Sequence, residues 1–408
     1  MRYAILDAAL PIDRQGQRGP GAQYVAWELA RRRITEASYR EADYILVSCT
    51  AATDAQYLRR LRAQCRQAVI IAGGAASTSP ASLSIHADAV CVGDGQQLLG
   101  TLLAGGDWQS LPNVYIHGQS HPVAIDQGFP WHMPPTIGED GSIRFVCGRG
   151  CRKRCAFCQV GWSYVYQEHP YPSRLISDVH MWQASGRAMS YVSNDLGQHS
   201  FADRLPPTAA GSYSLDYIRR RGVPASRQVR LGIEGVSERL RKVAYKPVTH
   251  TDLVNSALWL AENGRSVRWF LIAGLPSETT EDWLELRQAV QDFKRYSTKG
   301  VLALSFTAWC PDPATPLAVA QVTDDYWPRV TEFWEWFFAE SGWSNRVKLM
   351  KPQQPENRNI KAEHSMGLPL AQLRSGGDWG PNDRVSYPYK QQAKSAATGN
   401  TDGDKTHK

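Results

Sequence analysis

Four of the chain's eight cysteines fall within twelve residues, in the stretch RFVCGRGCRKRCAFCQVGW (Arg144 to Trp162), surrounded by arginine and lysine. Such a cluster dictates local folding, because a short loop must wrap whatever the thiols hold. A zinc knot, a disulfide framework, a redox pair and a reactive metal cluster all start from this pattern. The first residues, MRYAILDAALPIDRQG, contain one short apolar run before Pro11 and Asp13. That run is too short for a signal peptide or a membrane span, so the expectation is a cytoplasmic protein with no membrane partner. Reducing cytosol keeps thiols free, which makes a metal-binding or catalytic cluster a better reading than a disulfide framework.

The 408 residues alternate short apolar runs with amphipathic helices. The pattern predicts an α/β chain with parallel sheets. RYAILDAA, ADYILVSCT, AVIIAGGAA and ADAVCVGDG read as strands, separated by helices over GPGAQYVAWELARRR and TDAQYLRRLRAQCR, the latter with a Thr/Asp cap. They give a Rossmann-like domain over 1–105. A connector with a small hairpin in LPNVYIHGQ follows over 106–142. RFVCGRG, AMSYVSND, QVRLGIEG, VRWFLIAGLP and VLALSFTAW then read as strands of a partial (β/α)6-type TIM barrel over 143–320, whose C-terminal strand ends carry the chemistry. An aromatic-rich helical and irregular extension over 321–390 precedes a polar tail, 391–408, too poor in apolar groups to fold.

Cys151, Cys155 and Cys158 form C-x3-C-x2-C, with Phe157 immediately before the last cysteine. Three soft thiolates on one loop suit three irons of a [4Fe-4S] cube and leave the fourth iron open. A zinc site that includes Cys147 is the alternative the ligand chemistry permits, although zinc ribbons pair two separated C-x2-C knuckles and no second knuckle occurs here. The spacing resembles the signature of the radical S-adenosylmethionine (SAM) superfamily, C-x3-C-x-aromatic-C after the first barrel strand. The resemblance implies SAM bound on the open iron and cleaved by one electron to a 5'-deoxyadenosyl radical. It also puts Phe157 near the adenine. Cys147, outside the three-cysteine spacing, reads as a residue beside the cluster ligands or as a core residue of the entering strand.

Later segments resemble the same superfamily in the same order. RLGIEGVSERLRKV places Glu234 where the family glutamate reaches polar groups of SAM, a position suited to charge-assisted hydrogen bonds. FLIAGLPSETTEDW places Gly274 at the next strand exit, where backbone approaches the cofactor, with Thr279 or Thr280 capping the following helix. TAWCPDPATPLA resembles the late-strand Thr-Pro-Leu turn. One segment departs from the pattern: the usual Gly-Gly-Glu is replaced in YVSNDLGQHS, which offers Asn194 or Asp195 to the SAM amino group. His199 reads either as a cavity residue or as a packed side chain.

Before the barrel, YILVSCTAATDAQYLRRL, VIIAGGAAS and ADAVCVGDGQQLL resemble a cobalamin-binding domain. The resemblance puts Ser48, Thr50, Gly73, Gly74 and Gly93 where backbone approaches the corrin or its tail, with Gly93-Asp94-Gly95 as a tight turn. No Asp-x-His-x-x-Gly motif supplies an axial histidine, and Arg33 to Ala42 leaves little room for the usual second strand, so cobalamin retained and cobalamin lost both stay open. The related domain of tRNA methylthiotransferases carries three cysteines; Cys49 matches one of those positions, and Ala75 stands where another would be.

The expectation is therefore a radical SAM enzyme that abstracts hydrogen for rearrangement or methyl transfer, served by an electron donor such as flavodoxin or ferredoxin. The alternatives are a cobalamin-dependent methyltransferase of a small metabolite or peptide, a methylthiotransferase-like enzyme and, in another class, a zinc-dependent nucleic-acid-binding protein. The formal charge is +7. Arg149, Arg152, Lys153 and Arg154, with Arg219 to Arg221 and a Trp-rich C-terminal helix, offer a rim for a nucleic-acid base, including phage DNA hypermodification, or else a solvated surface or redox-partner contact.

Overall fold

In the first sheet, successive residues along each strand enter different cores. Strands β1 (Tyr3–Asp7), β2 (Tyr44–Ser48), β3 (Val69–Gly73) and β4 (Ala89–Cys91) alternate with helices α1 (Pro20–Arg31), α2 (Ala55–Gln64), α3 (Pro80–Leu83) and α4 (Gln96–Leu103). Ile5, Leu46 and Ile71 pack under α1 and α4, while Leu6, Ile45, Val47 and Ile70 pack under α2 and α3. The four strands are parallel and in sequential order, which is the doubly covered sheet that near-continuous apolar strands predict. The computed structural model describes residues 1–350, except 14, 16, 17, 51, 119–122, 139, 313–314 and 341–345, together with 385–386. The expected polar tail, 391–408, and the irregular part of the extension beyond 350, apart from 385–386, lie outside the described residues.

Three local expectations are corrected in this half. β5 (Val114–Tyr115), read as part of a connector hairpin, pairs antiparallel with β4 and closes the edge of the first sheet. β6 (Val123–Ala124) pairs instead with β17 (Val385–Ser386). Asp54 does not cap α2; its carboxylate accepts the Thr50 N–H at 2.7 Å. The crowded second-strand region survives as a single bridge between Tyr3 and Glu36.

The second half comprises β7 (Thr136–Ile137), β8 (Ile143–Val146), β9 (Gly148–Arg149), α5 (Val160–Ser163), β10 (Gln167–Glu168), α6 (Pro172–Ala184), β11 (Met189–Val192), β12 (Ala210–Tyr213), α7 (Leu215–Arg221), β13 (Gln228–Glu234), α8 (Glu238–Val243), α9 (His250–Glu262), β14 (Ser266–Ala273), α10 (Thr280–Tyr296), β15 (Leu302–Ala308), α11 (Tyr326–Ala339) and β16 (Val347–Leu349). β8 and β11 form one parallel ladder and β12 to β16 another. The expected continuous six-strand arc is thus corrected: among the described residues no ladder joins β11 to β12. The chain leaving β11 docks on the end of β12 instead, with Asp195 accepting the Ser214 N–H at 3.1 Å. A cleft of about 240 Å³ separates the two strands.

Behind the β12 to β16 ladder, Trp269, Trp283, Phe293, Phe306 and Phe333 fill the core between sheet and helices. α10 begins at Thr279 with the expected cap, and the Thr279 N–H donates to Asp282 Oδ2 at 2.8 Å. No helix among the described residues is long and apolar enough to cross a membrane.

Candidate active site

The cysteine loop runs from the end of β9 to α5 and is pinned from several sides. The Ala156 N–H donates to the Ala244 carbonyl at 3.0 Å, the Leu317 N–H to the Ala156 carbonyl at 3.1 Å, and Trp162 Nε1 to the Cys155 carbonyl at 2.9 Å. Cys155 is buried, while Cys151 and Cys158 are partly exposed. Burial pushes all three thiols up, Cys151 to about 11 and Cys158 to about 12; Cys155 adds to the rise at both of these, and Cys151 adds to that at Cys158. Among the described residues no three His, Cys, Asp or Glu side chains converge on one ion. Three thiols carried on one loop are the soft donor set that an iron–sulfur cluster takes. Cys147 is fully buried in the core beneath β8 and the β12 to β16 ladder, the second of the two places open to it.

Around this loop the sequence-predicted residues take definite places. Phe157 is half-buried against the barrel core. Glu234 ends β13 at a register shift with φ 72°, and its Oε1 lies 3.0 Å from Lys246 Nζ. Burial opposes the charge on Lys246, but Glu234 and Cys155 hold its pKa up. Asn194 Nδ2 donates to the Gly150 carbonyl at 3.1 Å. Asp195 is buried, and one carboxylate oxygen serves the backbone amides of Gly197 and Ser214. Gly274 has φ 78°, and a Cβ there would stand 3.0 Å from the Tyr326 ring of α11, so its freedom serves packing in this structure.

A cavity of about 470 Å³ joins the first sheet to this loop. Ser48, Thr50, Gly73, Gly74 and Gly93, all selected from sequence, line it together with Gly148, Arg149, Gly150 and Asn194. It also runs inward between the sheet and helices α1 and α4, past Ala22, Tyr24, Leu46, Ile71, Leu98 and Leu99. The result is an open mouth of small residues leading to an apolar slot, a form suited to a broad ligand with a tail. Gly93 (φ 100°) is obligatory, since a Cβ would lie 2.3 Å from the Asp126 carbonyl oxygen. Cys49 faces away, buried under α2, with its neighbours Ala55 and Leu58.

Sequence reading missed several partners of the loop. Asp94 of the Gly-Asp-Gly turn pairs with Arg149 at 2.6 Å, and Arg149 lies 3.8 Å over the Tyr164 ring. Burial raises Asp94 although Arg149 opposes the shift. Arg152 pairs with Glu168 at 3.3 Å, Lys153 with Asp216, and Arg154 packs over Trp162. Each of these side chains has a partner within the fold, and Arg152 stays largely exposed. Arg219 and Arg221 likewise face Asp252 and Asp203. Only the Gly-Asp-Gly turn gave a sequence signal for any of these pairs.

No family model matches the chain. Among curated proteins, an uncharacterized protein of Methanocaldococcus jannaschii is 24% identical over 226 residues, which are 49% of this chain and 48% of that protein. The match thus spans about half the length of the relative. Among solved structures, the radical SAM methyltransferase TsrM from Kitasatospora setae, with cobalamin and a [4Fe-4S] cluster bound, superposes with a TM-score of 0.58. That alignment covers 97% of this chain and 100% of TsrM at 13% identity. TsrM with tryptophan substrate and aza-SAM gives 0.54 at 14% identity over 78% of this chain and 75% of that one. OxsB, a cobalamin-dependent SAM radical enzyme, bound to aqua-cobalamin and SAM, gives 0.53 at 11% identity over 95% of this chain and 58% of OxsB. The fold is that of the cobalamin-dependent radical SAM enzymes. The TsrM alignment at 97% of this chain takes in both the first sheet and the later sheets.

Proposed function

We propose that this chain is a cobalamin-dependent radical SAM methyltransferase. The observation that carries the reading is the cavity that brings Ser48, Gly73, Gly74 and Gly93 of the first sheet to Gly150, the residue before Cys151. When bound, a [4Fe-4S] cluster with SAM would supply a methyl source and, on one-electron cleavage, a 5'-deoxyadenosyl radical, and cobalamin would carry the methyl group. Cys151, Cys155 and Cys158 hold the cluster. Glu234 and Asn194 orient SAM, and Phe157 packs beside its adenine. Lys246 lowers the cost of ionising Cys155 and keeps the Glu234 carboxylate in place. The apolar slot between α1 and α4 takes the cobalamin tail, while Gly73, Gly74 and Gly93 let the backbone meet the corrin. Excluding water from this cavity protects reactive species from quenching. A low-potential donor of the flavodoxin or ferredoxin type supplies the electron.

Anaerobic reconstitution tests this reading. About four irons and four sulfides per chain are expected, with a visible charge-transfer band that disappears in Cys155→Ala. SAM turnover should yield S-adenosylhomocysteine when cobalamin is present. Zinc without iron would overturn the cluster, and 5'-deoxyadenosine without S-adenosylhomocysteine would replace methyl transfer by rearrangement.

A further inference from the structure

A chain of hydrogen bonds leads from the cavity wall to the protein surface. Ser193 lines the cavity, and its Oγ lies 2.7 Å from His199 Nε2. His199 Nδ1 is 2.9 Å from Tyr166 Oη, which in turn donates to Glu168 Oε1 at 2.9 Å. A weaker alternative acceptor for Tyr166, the Gln198 carbonyl, is at 3.2 Å. Glu168 also receives the Ser200 N–H at 3.0 Å, the Ser200 hydroxyl at 2.6 Å and Arg152 at 3.3 Å, and 23% of its side chain meets solvent.

The directions of these bonds follow from elementary rules. An ionised Glu168 only accepts, so Tyr166 points its proton outward and offers a lone pair to His199 Nδ1–H. Neutral His199 then has its lone pair on Nε2, which accepts from Ser193. Ser193 Oγ is left with a lone pair for a donor in the cavity.

The surroundings keep this order. The imidazole is stacked between Tyr166, at 5.8 Å and 17°, and Phe201, at 5.4 Å and 11°. Gly148 lies against it, where a Cβ would stand 2.2 Å from Cε1. Burial lowers the pKa of His199 to about 4, with Glu168 raising it and Arg152 lowering it among the facing charges. Burial raises the Glu168 carboxyl, but hydrogen bonds from Ser200 and Tyr166 outweigh it and leave its pKa lowered. The acidic end is thus ionised at neutral pH and the imidazole is a neutral carrier.

We propose that Ser193, His199, Tyr166 and Glu168 form a proton relay from the cavity to solvent, and that the acceptor handled there is an N–H, O–H or S–H acid. This rests on the methyl-transfer reading. The acceptor's X–H bond would break and its electron pair stay on X, the X–CH3 bond would form as the methyl carrier's bond to that methyl breaks and leaves its electron pair on the carrier, and the acceptor's proton would pass to Ser193 Oγ. The serine proton moves to His199 Nε2, the Nδ1 proton to Tyr166 Oη, and the tyrosine proton to Glu168 Oε1, from which water removes it. Charge is conserved at each transfer, and no oxidant or reductant enters the proton step.

The test uses full-length protein labelled with ¹⁵N-histidine, with no substrate, and His199 assigned by loss of its signal in His199→Phe. At pH 7 the long-range ¹H–¹⁵N spectrum should show a neutral ring protonated on Nδ1. Glu168→Gln can donate to Tyr166 and so reverse it, and should shift the tautomer ratio toward Nε2–H by about tenfold. An imidazolium or an Nε2–H ring in the wild type overturns the relay, as does a Glu168→Gln variant with an unchanged tautomer. Iron and cobalamin content measured on the same variant should equal wild type; loss of both would make Glu168 a structural residue and overturn the relay as well. Failure of the wild type itself to take up iron or cobalamin would instead sink the methyl-transfer reading and leave the tautomer result standing.

Discussion

Glu234 adopts φ 72°, a conformation that costs a residue with a Cβ about 1 kcal/mol or more. The cost places its carboxylate 3.0 Å from half-buried Lys246, which lies within electrostatic reach of Cys155. Glu234→Gln keeps the shape and removes the charge, so it should leave iron and sulfide content intact and weaken SAM binding about tenfold, about 1.4 kcal/mol, measured by equilibrium binding to reconstituted protein. His199 provides a second residue-level expectation. Its ordinary value is 6.5 and burial lowers it to about 4. Between those values the unfolded histidine binds a proton that the folded one refuses, so acidification favours the unfolded chain. The stability contributed by His199 is complete above pH 6.5 and falls by up to about 3 kcal/mol as the pH drops toward 4. Urea unfolding at pH 7 and pH 5 should show this loss in the wild type and a smaller one in His199→Phe, which retains the aromatic stack.

Between elements, the Asp94–Arg149 pair, its carboxylate covered and its guanidinium partly exposed, joins the turn after β4 to the strand entering the cysteine loop. Thr78 adds a second link, donating to Gln159 Oε1 at 2.6 Å. Asp94→Asn leaves the guanidinium without its counter-charge and should cost about 1–2 kcal/mol in urea unfolding. Adding Arg149→Met should recover much of that loss, because the pair's partners in the double variant are both uncharged. The same elements show what the amino-acid sequence can carry. Cys151, Cys155 and Cys158, picked out by spacing, do lie on the one loop between β9 and α5. Gly73, Gly74 and Gly93, picked out as small residues at strand exits, do line one cavity. β12 was not legible, since Ala-Gly-Ser-Tyr has no apolar run, and neither was the break beside it, which arises when Asp195 ties the β11 exit to Ser214. The partners of Arg149, Arg152 and Lys153 lie 55, 16 and 63 residues away, respectively, and no local pattern announces such pairs.

At the scale of the whole molecule, the first sheet and the β8–β11 sheet with the start of the cysteine loop border one space, and each supplies part of its wall. A ligand that fills it would bind the folded chain and not the unfolded one, so its free energy adds to the stability of both halves together. Hydroxocobalamin at about one hundred times its Kd should therefore add about 2.7 kcal/mol and raise Tm as a single transition. Gly73 allows this to be tested without damaging the fold. A Cβ at that position would meet only Cys91, with Cβ at 3.8 Å and the carbonyl oxygen at 3.9 Å, which is ordinary van der Waals contact. The two methyl groups of Gly73→Val, however, must project into the cavity that Gly73 lines. The variant should unfold near the wild-type temperature without ligand, reconstitute the same iron, and lose the cobalamin-induced rise in Tm. If Gly73→Val retains the full shift, cobalamin does not occupy this cavity, and the small residues at the exits of β2, β3 and β4 serve packing alone.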